Sequence, residues 1–326
     1  MRKAMLCAAM AAIGLVIGAS GASAAEGDDY PKRAIRMILP NGPGSSNDVL
    51  GRILALKLSE TLGQPVVVEN HAGASGVVGM EIAKNSPPDG YTIVAASPAA
   101  TSIAVNLHKK LSYDPLNDFQ YISTYAVLPN MLVVTPSLPV KNLQELIEYA
   151  KNAKSDVFMA SAGPGSQSHL AGAMLTQMGG FPSVHVPYKG GGASVLAVIS
   201  GEAQWTITPA SSVVGQARSG TVRAIAQSLP QRTPLLPDVP AVSETVPGYA
   251  YSAWNGLIVP KGTPPVVIAK LRAALLKTVS LPEVKEGFAK QGAEVVTNTP
   301  EEFRKLVEGE MESTGRVVKA TGLKVE

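Results

Sequence analysis

Short apolar runs alternate along the chain with segments whose apolar residues recur every three or four positions. That is the pattern of strands interleaved with amphipathic helices. The runs at 34–40, 65–69, 91–95, 132–135 and 156–161 predict strands. Val49, Leu50, Ile53, Leu54, Leu58 and Leu62 lie near helical spacing and predict a helix over 48–62, which Gly63 stops. Leu143, Leu146, Ile147 and Ala150 mark one face of a helix over 143–152, and further helices are expected over 168–178, 266–279 and 301–320. The alternation predicts an α/β class with mostly parallel sheets. No repeat of roughly 20–50 residues is present, which argues against a solenoid. The stretch 229–247 carries five prolines and few periodic apolar positions. It reads as a long irregular connection, a candidate hinge or crossing segment.

One similarity spans the chain. Gly42-Pro43-Gly44-Ser45-Ser46-Asn47 follows the first predicted strand, and Gly163-Pro164-Gly165-Ser166-Gln167-Ser168 follows the strand at 156–161, 121 residues further on. Both precede an amphipathic helix and end in residues able to cap it. A helix N-terminus leaves about four backbone N–H groups unpaired and carries about half a positive charge from the macrodipole. Glycines allow close approach of the backbone, and serine hydroxyls add donors. Together these features make an anion site without Arg or Lys. Two such turns facing each other across a cleft would surround a small anion such as a carboxylate. The plainer reading is that each turn only connects a strand to a helix.

Composition narrows the class. At 326 residues the chain is long enough for about two domains. A hydrophobic share of 45% against 16% charged residues excludes global disorder. Residues 1–24 have a basic start (Arg2, Lys3), an apolar run over about 4–19 and a small-residue end at Ala22-Ser23-Ala24. This is the three-part pattern of a cleaved secretory signal. The run is short for a membrane span of about 20 residues. No later stretch approaches that length, so the mature protein is expected to be soluble, and the style of the leader points to a bacterial periplasm. Cys7 lies inside the leader, so the mature chain has no cysteine for disulfides, thiolate metal sites or nucleophilic catalysis. Net charge is +3, and +1 once Arg2 and Lys3 are removed. That excludes a basic nucleic-acid stripe, and 5% aromatics argue against base stacking.

Enzyme motifs are missing. Gly42 and Gly44 begin a dinucleotide fingerprint, but Asn47 stands where its third glycine belongs. No serine sits in G-x-S-x-G. His71, His108, His169 and His185 show no zinc-ligand spacing. Glu301-Glu302 answers a helix dipole rather than forming an acid–base pair. No catalytic residue, metal or cofactor is expected.

An ordered set of short motifs carries a family resemblance over nearly all of the mature chain. It includes Pro43-Gly44-Ser45-Ser46-Asn47-Asp48, Leu62-Gly63-Gln64-Pro65 through Asn70, Pro88-Asp89-Gly90-Tyr91, Tyr113-Asp114-Pro115 and Ser161-Ala162-Gly163. It continues with Ser168-His169-Leu170-Ala171-Gly172, Val186-Pro187-Tyr188-Lys189-Gly190, Leu236-Pro237-Asp238-Val239-Pro240 and Pro260-Lys261-Gly262-Thr263-Pro264. The chain resembles the periplasmic solute-binding proteins of tripartite tricarboxylate transporters, the Bug or TctC type. The resemblance implies a type II periplasmic-binding-protein fold: two α/β domains joined by two crossing segments, closing on ligand in the cleft between them. We expect one domain over 25–126 plus 248–326 and the other over 127–247. The resemblance also implies a monomer that performs no catalysis, binds a small organic carboxylate and delivers it to membrane subunits.

Carried over by position, the ligand-binding set is Pro43, Gly44, Ser45 and Asp48 in the first loop, with Ser97, Ala100 and Thr101 in the other first-domain loop. The second-domain loop supplies Ser161, Ala162, Gly163, Ser166, Gln167, Ser168 and His169, and the segment 205–211 lines the far side with Thr208 and Ser211. Relatives usually have Gly where Ser45 stands, often Thr at Asn47, and many carry Asp or Asn near Thr208. With no negative charge at Thr208-Pro209 to meet an ammonium, the expected ligand is a carboxylate with a neutral or second anionic end. Lys189 stands either as a partner for a second carboxylate or as a solvated surface lysine. A sensory protein signalling to a membrane kinase is the alternative within this fold, and a secreted enzyme the alternative outside it.

Overall fold

The computed structural model describes residues 29–108, 110–233 and 236–321. The leader expected at 1–24 lies outside the described residues. Along the chain run β1 (Ile35–Leu39), α1 (Ser46–Leu62), β2 (Val66–Asn70), α2 (Val77–Lys84), β3 (Thr92–Ala96), α3 (Ala104–Leu107) and β4 (Phe119–Val134). Next come α4 (Leu143–Asn152), β5 (Phe158–Ser161), α5 (Gln167–Gly179), β6 (Val184–Pro187), α6 (Gly191–Ser200), β7 (Trp205–Pro209), α7 (Val214–Arg218) and β8 (Arg223–Gln227). The chain returns through β9 (Ser252–Pro260), α8 (Pro265–Ser280), α9 (Pro282–Lys290) and α10 (Pro300–Thr321).

The strands form two α/β domains that share one strand. In the first, β2 and β3 flank β1 in parallel, as expected for βαβ units. In the second, β6 and β7 flank β5 in parallel. The pairings that join these units are antiparallel, so the sheet is mixed rather than mostly parallel. The reason is β4. Its first part, up to Pro129, runs against β9, and its last five residues run between β7 and β8. A strand that leaves one domain, enters the other and is met by a returning strand must pair antiparallel with it.

Serine caps and glycine contacts build the two α/β units alike. Ser45 caps α1 and Ser166 caps α5, with φ/ψ of −72/162 and −69/162. Before each cap stands a glycine with positive φ, Gly44 (+76°) and Gly165 (+70°). Six residues after each cap lies a glycine that lets the helix press on the preceding strand. A Cβ on Gly51 would come within 2.8 Å of Leu39 in β1, and one on Gly172 within 1.9 Å of Met159 in β5. Each helix is thereby seated over its own strand, with its N-terminus at the strand's carboxyl end.

The crossing point is a buried polar knot. Asn130 and Ser228 are fully buried. The Ser228 amide donates to the Asn130 carbonyl (2.9 Å), the Asn130 amide to Ser228 Oγ (2.7 Å), and the Tyr251 amide to the Ser228 carbonyl (3.0 Å). Ser228 Oγ in turn donates to the Tyr251 carbonyl, which also accepts from Asn130 Nδ2. The proline-rich connection leaves this knot, and its described residues, 229–233 and 236–247, are irregular apart from a bridge at Ala241 and a 3₁₀ turn at Val242–Glu244. Ser228→Ala strips partners from two buried backbone groups. It is expected to lower unfolding free energy by about 1–3 kcal/mol, read as a lower denaturant midpoint at unchanged m-value.

Candidate ligand-binding site

A cavity of about 670 Å³ lies between the domains. From the first domain it is lined by Asn41, Gly42, Pro43, Ser45 and Ser46, by the turn at 72–76, and by Ser97 and Ala99. From the second come Ala162, Gly163, Pro164, Ser166, Gln167 and Ser168, the loop at 188–191, and Thr208, Pro209 and Ser212. Among the described residues no carboxylate lines it, and Lys189 is the one charged side chain that does.

The two serine-capped corners open into this one cavity. The cap oxygens take the third amide of each helix, Asp48 N at 3.2 Å and His169 N at 3.3 Å. The first two amides of each helix, at Ser46 and Asn47 and at Gln167 and Ser168, have no acceptor among the described residues. Ser46, Gln167 and Ser168 line the cavity, with Asn47 buried just behind them, and with two macrodipoles behind them these donors favour an anion without a cation.

Several residues expected in the ligand-binding set stand behind the wall instead, most of them with their polar groups already engaged. Gly44 does not line the cavity, and its amide donates to Asp48 Oδ2 at 3.0 Å. Asp48 is spent holding that loop, its Oδ1 also accepting from Arg52 Nε (2.8 Å) and Asn70 Nδ2 (2.9 Å). Thr101 Oγ1 donates to the Ser97 carbonyl, and Thr101 and Ala100 are fully buried. Ser161 Oγ sits 2.6 Å from His185 Nε2 and accepts from the Gly163 amide at 3.1 Å. Ser211 lies beside the cavity rather than in its lining, its hydroxyl buried without a partner. Pro43, Ser45, Ser97, Ala162, Gly163, Ser166, Gln167, Ser168 and Thr208 do line it, and so does Lys189.

The turn after β2 also enters the cavity, beyond the residues expected there. Gly73, Ala74, Ser75 and Gly76 form a lip of the cavity. Ala74 and Ser75 hold φ of +44° and +60°, a costly conformation for residues with a Cβ. Ser75 Oγ crosses the opening to donate to the Pro164 carbonyl at 3.0 Å. The available signal was a small-residue turn between a strand and a helix, the criterion already applied to the other two loops.

Beneath the second corner, His169 and His185 stack with ring centroids 3.7 Å apart. The Gly165 amide donates to His169 Nδ1 at 3.1 Å, which places the ring proton on Nε2. Burial, reinforced by the neighbouring His185, lowers the His169 pKa from 6.5 to about 4, and burial lowers that of His185 as well. Both rings are therefore neutral at neutral pH, as a close face-to-face pair requires.

Comparisons with known proteins place the chain in a family. Residues 50–323 match the family model described as the tripartite tricarboxylate transporter family receptor, TctC. The chain belongs to this receptor family. It is 35% identical to protein BugT of Bordetella pertussis over 97% of this chain and 98% of that one. Among solved structures, an R. palustris protein with adipate superposes with a TM-score of 0.87 at 29% identity, covering 91% of this chain and 99% of that one. MatC of Rhodopseudomonas palustris with bound malate gives 0.83 at 29%, covering 89% and 100%. The two α/β domains and their cleft are the type II periplasmic-binding-protein fold expected from the resemblance, and the TctC relatives are receptors. Among the described residues no helix is long and apolar enough to cross a membrane.

The histidine pair sets a pH dependence. Below pH 6.5 the unfolded chain protonates these rings, whereas folded His169 resists until about pH 4. The unfolded state binds more protons in that window, so stability falls as pH drops from 6.5 toward 4. Melting temperatures across that range are expected to decline more steeply for the wild type than for His169→Gln, which cannot titrate.

Proposed function

We propose that this TctC-family protein is a periplasmic receptor that captures a small organic carboxylate in the interdomain cavity. It then delivers the carboxylate to the membrane components of a tripartite tricarboxylate-type transporter. The observation that carries this reading is the convergence of two serine-capped helix N-termini on one cavity that, among the described residues, no acidic side chain lines. The adipate- and malate-bound relatives supply the ligand class.

Each free amide offers a hydrogen bond to an anion, and a charge-assisted bond contributes about 1.5–3 kcal/mol net. We assign direct contact to Ser45, Ser46, Ser166, Gln167 and Ser168. Pro43, Ser97, Ala162, Gly163 and Thr208 shape the wall, and Gly44, Asp48, Thr101, Ser161, His169 and Ser211 support it from behind. The absence of a carboxylate to meet an ammonium argues against amino acids and for a ligand whose far end is neutral or anionic.

The domain division at 126/127 and 247/248 puts the hinge close to the buried knot at Asn130, Ser228 and Tyr251. Ligand bridging both corners favours the closed arrangement by its differential affinity for the two states. The chain acts as a monomer, without catalysis, after its leader directs it across the inner membrane.

A thermal-shift screen of organic acids on the mature protein tests the reading, because a ligand at 100 times its Kd stabilises by about 2.7 kcal/mol. Di- and tricarboxylates or aromatic acids are expected to raise the melting temperature, and α-amino acids to leave it unchanged. An amino acid as the sole tight ligand would overturn the ligand class. Ser166→Ala and Ser168→Ala are expected to weaken binding about tenfold with the fold retained, and unchanged affinity in both would remove the second corner from the site.

A further inference from the structure

A third helix N-terminus faces the same cavity. Gly190 and Gly191 line it, and α6, ten residues long, begins at Gly191. No side chain caps this helix. The first backbone bond of the turn runs from the Ser194 amide to the Gly190 carbonyl, so the amides of Gly191, Gly192 and Ala193 precede any partner in the helix. Bonds from the Tyr188 amide to the Ser161 carbonyl (2.9 Å) and from the Gly190 amide to the Ala162 carbonyl (3.2 Å) tie the loop to the second corner.

Thr208 supplies the independent observation. It lines the cavity and is 1% exposed, yet its Oγ1 has no hydrogen-bond partner. Thr206, two residues earlier on the same face of β7, is equally buried but donates to the Ala160 carbonyl at 2.7 Å. A buried hydroxyl left unpaired is costly, and Thr208 is aimed at the start of α6. A Cβ placed on Gly191 would lie 3.8 Å from Thr208 Oγ1 and 3.1 Å from Ser212 Oγ. Lys189 stands at the rim of the same loop.

Resting on the carboxylate-receptor reading, we propose that the α6 N-terminus, Thr208, Ser212 and Lys189 form a second anion subsite that receives the far carboxylate of a dicarboxylate ligand. Amide N–H groups and an ammonium only donate, so the group they receive must accept. The serine-capped pair holds one end of the ligand and the uncapped helix the other. Gly191 keeps the space between the two hydroxyls open.

Calorimetry with acids matched in length decides the matter, using adipate against hexanoate and succinate against butyrate. The wild type is expected to bind at least one diacid about tenfold or more tighter than its monoacid. Thr208→Val and Gly191→Ala, which remove the hydroxyl and fill the gap, are expected to shrink that ratio severalfold by weakening the diacid more than the monoacid. Ser166→Ala is expected to weaken diacid and monoacid alike. A ratio near one in the wild type, or a ratio unmoved by both Thr208→Val and Gly191→Ala, overturns the second subsite while the receptor reading stands. Failure of every carboxylate to bind overturns both.

Discussion

The candidate site depends on unpaired backbone amides held at a shared cavity. Helices α1 and α5 each spend one amide on a serine cap and keep two free. The free donors are useful because the surrounding groups have been occupied. Asp48, the carboxylate nearest the first corner, is turned inward onto the Gly44 amide, Arg52 and Asn70. The neutral histidine stack backs the second corner and adds no charge of either sign. Each corner thus presents free amide donors to an anion, the charge of Asp48 in the first turn of α1 being met by Arg52.

The packing beneath explains how these amides stay in place. Gly51 and Gly172 stand at the same distance from their caps and let each helix lie against its strand, at Leu39 and at Met159. Larger residues there would lift the helix and carry the amides with it. The two domains meet through β4, which passes from one to the other while its pairing partners change from β9 to β7 and β8. The hydrogen bonds among Asn130, Ser228 and Tyr251 tie the outgoing and returning chains together at that change.

Much of this was legible in the chain itself. Helix α4 has the bounds its apolar spacing predicts, and α1, α5, α8 and α10 agree within a few residues. The repeated G-P-G-S motif announced two equivalent corners. The crossing strands were harder to see. Only 132–135 of β4 reads as a strand, because its earlier part is buried with Ser123 and Thr124 inside, so no apolar–polar alternation survives. The same holds for β9, with Asn255 fully buried. Ser123 and Thr124 are satisfied by partners remote in sequence, as when Thr124 Oγ1 donates to the Val296 carbonyl at 2.8 Å and Ser123 Oγ accepts from the Asn298 amide at 3.0 Å. Within the candidate site, residue type pointed to loops that line the cavity but not to which groups were already engaged. Gly44, Asp48, Ser161 and His169 have the chemistry of ligand contacts, and each is consumed by a bond that only the folded chain supplies.

A grip made of main-chain hydrogens has an evolutionary corollary. The corner geometry is stored in backbone angles, a cap hydroxyl and a missing Cβ, so most side-chain drift around the rim leaves it intact. Such a scaffold separates holding from choosing. In the proposed arrangement one end of the guest is clasped by main-chain groups that descendants can inherit, while rim positions remain free to vary. A single lineage can therefore diversify its cargo by exchanging a handful of rim residues, without having to reinvent the clasp.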